Sequence, residues 1–288
     1  MKRKLTALAL ALGLTLSLAA CGGDTSTDET TDDTNQTTED TVDTGEGSDL
    51  TYVQDKGTLV VGITYFEPMD YKAEGSDEWI GFDADMAKQF AEYLGVDVEF
   101  SEINWDYKVM ELNAGNIDVV WNGMTILPEV TSTMDVSNPY CLNAQVLVVP
   151  VDKAADFEDL TSLEGLTVAV ESGSAGEAAA TALGASTVAV AKQADTLLEV
   201  SAGTSDAAVI DLLMAGAMIG EGTSYEGLTY VLNLNELQKQ ESEEYGVGFR
   251  QGSNLVDEFN TFWAEKVADG TVLEVATTYG LQESVILE

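Results

Sequence analysis

The sequence predicts an α/β protein with two sheets. Strand-like and helix-like segments alternate along the chain, and they fall into two such units. The 288 residues are also long enough for two domains.

The first unit opens with a strand over Leu59-Val60-Val61-Gly62, followed by the loop Thr64-Tyr65-Phe66-Glu67-Pro68-Met69 at its carboxyl end. In open α/β sheets that end is where ligands sit. Met86, Ala87, Phe90, Ala91 and Leu94 recur at spacings of three and four, which predicts an amphipathic helix over 84–94. Gly95 stands where a left-handed stop is wanted. Val96, Val98 and Phe100 alternate with polar residues and predict a strand. A helix from about Tyr107 to Asn113 stops at Gly115, and Ile117, Val119 and Trp121 begin a buried strand that delivers Asn122-Gly123-Met124-Thr125.

Ala144 to Val149 is an apolar run suited to crossing between two units. Beyond it, Leu166 to Val170 reads as a strand, Ala175 onward as an Ala-rich helix, Ala194 to Ala202 as a helix, and Ala207 to Ile210 as a strand ending at Asp211. The return crossing is expected near Gly246 to Phe249, with helices at about 254–268 and 271–279 packing on the first unit.

Composition removes several functions. There are 12 Lys and Arg against 51 Asp and Glu, a net charge of −39, which argues against nucleic acid as a partner. No His is present, so Ser-His-Asp and Cys-His nucleophiles are excluded, as is the commonest metal ligand. No phosphate loop or Cys-x-x-Cys pair occurs. Neither a catalytic set nor a metal or cofactor site is expected.

The first 50 residues read differently. Lys2, Arg3 and Lys4 precede an apolar run, Leu5 to Ala20, too short for a comfortable membrane span and ending in Leu18-Ala19-Ala20-Cys21. This resembles a bacterial lipoprotein signal. It implies a signal peptide over 1–20 and a lipid on Cys21 that anchors the protein to the membrane. Residues 21–50 are acidic and Thr-rich and hold almost no apolar side chain, so they are expected to form a disordered tether. With Cys21 acylated, Cys141 is a lone thiol, read as a small buried residue.

The ordered set GFD, A, LG, W, L..G.ID, GMTI and S.PY between Gly81 and Tyr140 resembles the amino-acid-type (family 3) solute-binding proteins that serve ABC importers. The likeness runs from about Tyr52 to Glu288. It implies a two-lobed periplasmic-binding-protein-like fold, each lobe a sheet flanked by helices, with a ligand cleft between lobes. Lobe 1 would take 51–145 and 243–288, and lobe 2 would take 146–242. An extracytoplasmic monomer that hands an amino acid or related amine to permease subunits is the implied role. Alternatives are a cleft enzyme of the cyclohexadienyl dehydratase type, or a sensory or scavenging domain without an importer.

The same resemblance assigns site residues. Asp211 would hold the ligand's amine, or else cap the following helix. Gly123 and Thr125 match a turn that contacts amine or carboxylate. Ser174 offers a hydroxyl and free N–H groups at a helix start, as an anion seat or as a cap. Trp105 and Phe66 are the aromatic candidates for stacking on the ligand. Trp121 reads as core. One departure stands out. Where the family carries an Arg that pairs with the α-carboxylate, this chain has Val130 within Leu127-Pro128-Glu129-Val130. Losing such a charged hydrogen-bonded pair costs roughly 1.5–3 kcal/mol. Arg250, the one Arg beyond Arg3, is read as a surface residue.

Overall fold

The computed structural model describes residues 49–288. The lipoprotein signal, Cys21 and the tether up to residue 48 lie outside the described residues.

Two five-stranded sheets form two lobes. The first runs in the order Asp97–Glu102, Thr58–Ile63, Val119–Val120, Gly248–Phe249, Asp135–Val136. Its first two pairings are parallel, with Thr58 opposite Asp97 and Val61 opposite Val119. Gly248–Phe249 then pairs antiparallel on both sides. The second runs Ser186–Val190, Thr167–Glu171, Ala207–Asp211, Gln145–Pro150, Leu228–Asn233, again parallel on one side and antiparallel on the other. The α/β, two-lobed expectation is met.

The crossings lie a few residues from where the sequence places them. The chain leaves the first lobe through Cys141–Asn143 and returns through Glu243–Tyr245, and these two short strands pair antiparallel. Gln145–Pro150 is instead an interior strand of the second sheet, and Gly248–Phe249 already belongs to the first. Physically, an apolar run is best used where both faces of a sheet are covered. The connecting ribbon tolerates exposure, and Leu142 within it is exposed. The strands Ser186–Val190 and Leu228–Asn233 are additions to the sequence reading.

Aromatic packing holds the first lobe together. Helix Phe82–Leu94 buries Phe82, Met86, Ala87, Phe90, Ala91 and Leu94, and Gly95 caps it at φ 77°. Phe90 meets Phe262 at 5.1 Å and Phe259 at 5.4 Å, both from helix Leu255–Ala268. Trp121 lies edge-on to Phe259 at 4.9 Å and is fully buried, as a core residue. Edge-to-face pairs of this kind contribute about 0.5–1.5 kcal/mol beyond the area they bury.

Two expectations are corrected at the start of this lobe. Asp49 and Leu50, read as the end of the tether, begin helix Asp49–Lys56, and Asp49 is buried. Arg250 is not a surface residue but 8% exposed. Its Nε donates to Asp49 Oδ2 at 3.0 Å, and one terminal nitrogen donates to the carbonyls of Ile117 (2.9 Å) and Leu112 (3.2 Å). The other lies 3.7 Å from Asp118 Oδ1. Asp118 also accepts from Lys56 Nζ at 2.6 Å and from the Val60 N–H at 2.7 Å. Burying a guanidinium is tolerable because acids and carbonyls meet it on several sides.

Candidate functional site

Each lobe turns the carboxyl ends of its central strands toward the other. After Thr58–Ile63 the loop is fixed by paired main-chain bonds between Phe66 and Asp70, both 2.7 Å. Asn122 anchors the neighbouring turn: its Oδ1 accepts from the Thr64 N–H and its Nδ2 donates to Thr64 Oγ1, each at 2.8 Å. Gly123 has φ 56°, and a Cβ there would sit 2.5 Å from the Phe66 ring, so only glycine fits. The Gly123 N–H donates to Asp83 Oδ2 at 2.7 Å, and Tyr140 OH donates to the same oxygen at 2.8 Å. Burial pushes Asp83 up to about 7, against the pull of these two bonds.

Trp105 opens a short turn capped by Asn104, whose Oδ1 accepts from the Asp106 N–H at 3.1 Å. Thr125 Oγ1 donates to Glu243 Oε2 at 3.2 Å. From the second lobe, Ser174 caps helix Ala175–Ala182 by accepting from the Glu177 N–H at 3.1 Å.

Asp211 ends strand Ala207–Asp211 but makes no cap bond to the helix that follows. Its carboxylate turns inward. Oδ1 accepts from Tyr245 OH at 2.7 Å, from Gln145 Nε2 at 3.1 Å and from Asn143 Nδ2, while Oδ2 accepts from Gln193 Nε2 at 2.6 Å. Burial first and the Glu243 charge second push it up to about 6 despite those donors. Glu243 is held in turn by Gln145 Nε2 at 2.8 Å. Every donor to Asp211 is neutral, so its negative charge is oriented but not cancelled.

Phe66, Trp105, Gly123, Thr125, Ser174 and Asp211 all line one cavity between the lobes. Asn122, Glu171, Ala175 and Gln193 complete its wall. The space is about 20 Å³, room for little more than water. The lobes are drawn together around it: Lys108 Nζ donates to the Gly173 carbonyl at 3.0 Å and Lys192 pairs with Glu102. A larger cleft of about 640 Å³ adjoins at Ser174, between Lys108, Val109, Leu127 and Val130 on one side and helix Ala175–Ala182 on the other. Val130 is buried among Trp105, Leu112, Met124 and Met134 and supplies no cation.

Glu171 and Gln193 escaped the sequence reading. Glu171 had a signal, because it closes the apolar strand TVAVE as Asp211 closes AAVID. Gln193 had none, since a polar residue at a helix start is ordinarily exposed. Cys141 is buried beside this region, and burial followed by the Asp83 charge pushes its thiol well above the usual range, so it is no nucleophile.

Two sheet-bearing lobes joined by a paired two-strand crossing, with polar side chains meeting between them, define a two-lobed binding-protein architecture. The family model "Bacterial extracellular solute-binding proteins, family 3" matches residues 59–282, and the chain belongs to that family. It is 26% identical over 275 residues to the arginine-binding extracellular protein ArtP of Bacillus subtilis (strain 168), covering 93% of this chain and 94% of that protein. Among solved structures it is similar to a mutant of ArgBP from T. maritima, at 29% identity and TM-score 0.72, covering 80% of this chain and 98% of that one. It is also similar to an ancestral amino acid-binding protein described as a precursor of cyclohexadienyl dehydratase, at 30% identity and TM-score 0.70, with coverage of 80% and 98%.

Proposed function

We propose that this protein is the lipid-anchored substrate-binding subunit of an ABC importer, which captures an amino acid or related amine by lobe closure. The observation that carries the reading is the convergence of six side chains or turns from both lobes on one cavity, with the Asp211 carboxylate in its wall. A buried carboxylate surrounded by neutral donors is suited to a ligand amine, because it keeps its charge while its geometry is fixed. Phe66 and Trp105 would stack on the ligand, Gly123 and Thr125 would meet its polar head, and Ser174 would cover it from the second lobe. Lobe 1 would comprise 49–143 and 243–288, and lobe 2 would comprise 144–242, a few residues from the expected bounds because Asp49 begins the first lobe's helix and Gln145 already belongs to the second sheet. Cleavage after residue 20, lipid on Cys21 and the acidic tether would hold the monomer outside the cytoplasm, against its permease partners.

The protein performs no chemistry on the ligand in this reading. The likeness to a dehydratase precursor favours a cleft enzyme as the rival. A dianionic substrate would there face Asp211 and Glu171 with Val130 in place of a cation, which works against it. The test is a thermal-shift screen of the mature protein against the common amino acids, their decarboxylated amines, polyamines and short peptides. A saturable rise in melting temperature with an amine-bearing solute is expected, and Asp211→Asn should remove it. Turnover of a prephenate-like acid would overturn the reading.

A further inference from the structure

Glu171 ends strand Thr167–Glu171 in the wall of the interlobe cavity. It is 3% exposed, and its Oε1 has no hydrogen-bond partner. A carboxylate in that state is costly unless a donor arrives, and the cavity is the side from which one can arrive. The groups that face it are few. Gln193, at the start of its helix, hydrogen-bonds to Glu171 and donates to Asp211, and so stands between the two acids. Asp211 lies close enough to raise Glu171, and Glu243 backs Asp211. Lys108 is the one cation that acts on it, and its ammonium is occupied: it donates to Trp105 O at 3.2 Å and Gly173 O at 3.0 Å and sits 4.7 Å over the Trp105 ring. Lys108 does not line the cavity, nor does any other Lys or Arg among the described residues.

We propose that Glu171 is a second ligand-recognising carboxylate, and that the solute is an organic cation whose amine or guanidine group is held by Glu171 beside the group held by Asp211. The proposal deepens the solute-binding reading above and rests on it. A compact cavity walled by two carboxylates and no cation rewards positive charge and repels an acid. Burial, then the Asp211 charge, push Glu171 up to about 8, so a cation that needs the ionised form displaces a proton when it binds near neutral pH.

The experiment is calorimetric titration of the mature protein with arginine, lysine, agmatine, putrescine, glutamine and glutamate, for wild type, Glu171→Gln and Glu171→Asp. Wild type should prefer the best cation over glutamine by at least tenfold and should not bind glutamate. Glu171→Gln should lose that preference, and Glu171→Asp should keep most of it. If Glu171→Gln fails to fold, wild type decides at pH 8, where Asp211 and Asp83 are already largely ionised, because cation binding there must still release protons, seen as a heat that depends on the buffer's ionisation enthalpy. Equal affinity for glutamine or glutamate, an unchanged preference in Glu171→Gln, or no proton release overturns the role of Glu171 and leaves the solute-binding reading standing. Silence from all six, with other amino acids and short peptides silent too, removes both.

Discussion

At the scale of single residues, the site rests on buried acids whose charged forms the fold disfavours. Glu171, Asp211 and Asp83 all titrate above their ordinary range, chiefly through burial. A carboxyl whose folded pKa lies above its unfolded one binds more protons folded than unfolded in the intervening window. Stability therefore falls as pH rises through it, from about 4 toward 8 for these three. The melting temperature of the solute-free protein should decline steadily from pH 5 to pH 9, and Glu171→Gln should flatten the upper part of that decline. A melting temperature that rises over this range in the absence of ligand would contradict the assignment. Much of this was legible beforehand: an acid closing an apolar strand marks Asp211, and the GMT turn marks Gly123 and Thr125. Glu171 carried the same mark and was missed. Gln193 and Gln145 carried none, because an amide's role depends on which carboxylate the tertiary fold brings to it.

At the scale of elements, two turns decide the geometry. Gly173 has φ 72°, and a Cβ there would lie 2.8 Å from Asp106 Oδ1 and 3.0 Å from Asp106 Cα, across the gap between lobes. Gly173→Ala should therefore weaken ligand affinity by obstructing closure, with far-UV circular dichroism unchanged. Affinity equal to wild type would show that the lobes need not approach so closely. The helix Asp49–Lys56 is fastened by Arg250 through Asp49, and the same guanidinium lies beside Asp118. Removing one partner of a buried ion pair costs about 3–5 kcal/mol. Arg250→Ala should lower unfolding stability by that order in urea titration, whereas a surface arginine would change it by less than about 0.5 kcal/mol. The long helices were readable from periodicity alone, since Phe82–Leu94 and Leu255–Ala268 each bury one face. The edge strand Ser186–Val190 was not, because it buries none of its residues and its short run Val188-Ala189-Val190 follows closely on the Ala-rich helix before it. Arg250 misled the reading because burial of a charge depends on acids and carbonyls distant in sequence.

For the whole molecule, the lobes meet through few polar bonds, which suits an opening and closing receptor. In the proposed reading, exposed pairs such as Lys192 with Glu102, which contribute only about 0–1 kcal/mol, would let the lobes part without a ligand. A solute shifts the balance only by binding the closed form more tightly than the open one. Without Lys2, Arg3 and Lys4, which would leave with the signal, the chain has 9 Lys and Arg against 51 Asp and Glu, a net charge of −42 that would add long-range, salt-screened attraction for cations. Association of a cationic solute, followed by stopped-flow tryptophan fluorescence, should slow as ionic strength rises from about 10 mM to 150 mM, where the screening length falls from about 30 Å to 8 Å. A salt-independent rate would place the charge elsewhere than near the cleft. The most direct measurement of the central claim is calorimetric titration of wild type and Asp211→Asn with the solute that best stabilises the mature protein. One saturable site in wild type, lost in Asp211→Asn while the variant stays folded, is the predicted result. Undiminished binding by Asp211→Asn would contradict it.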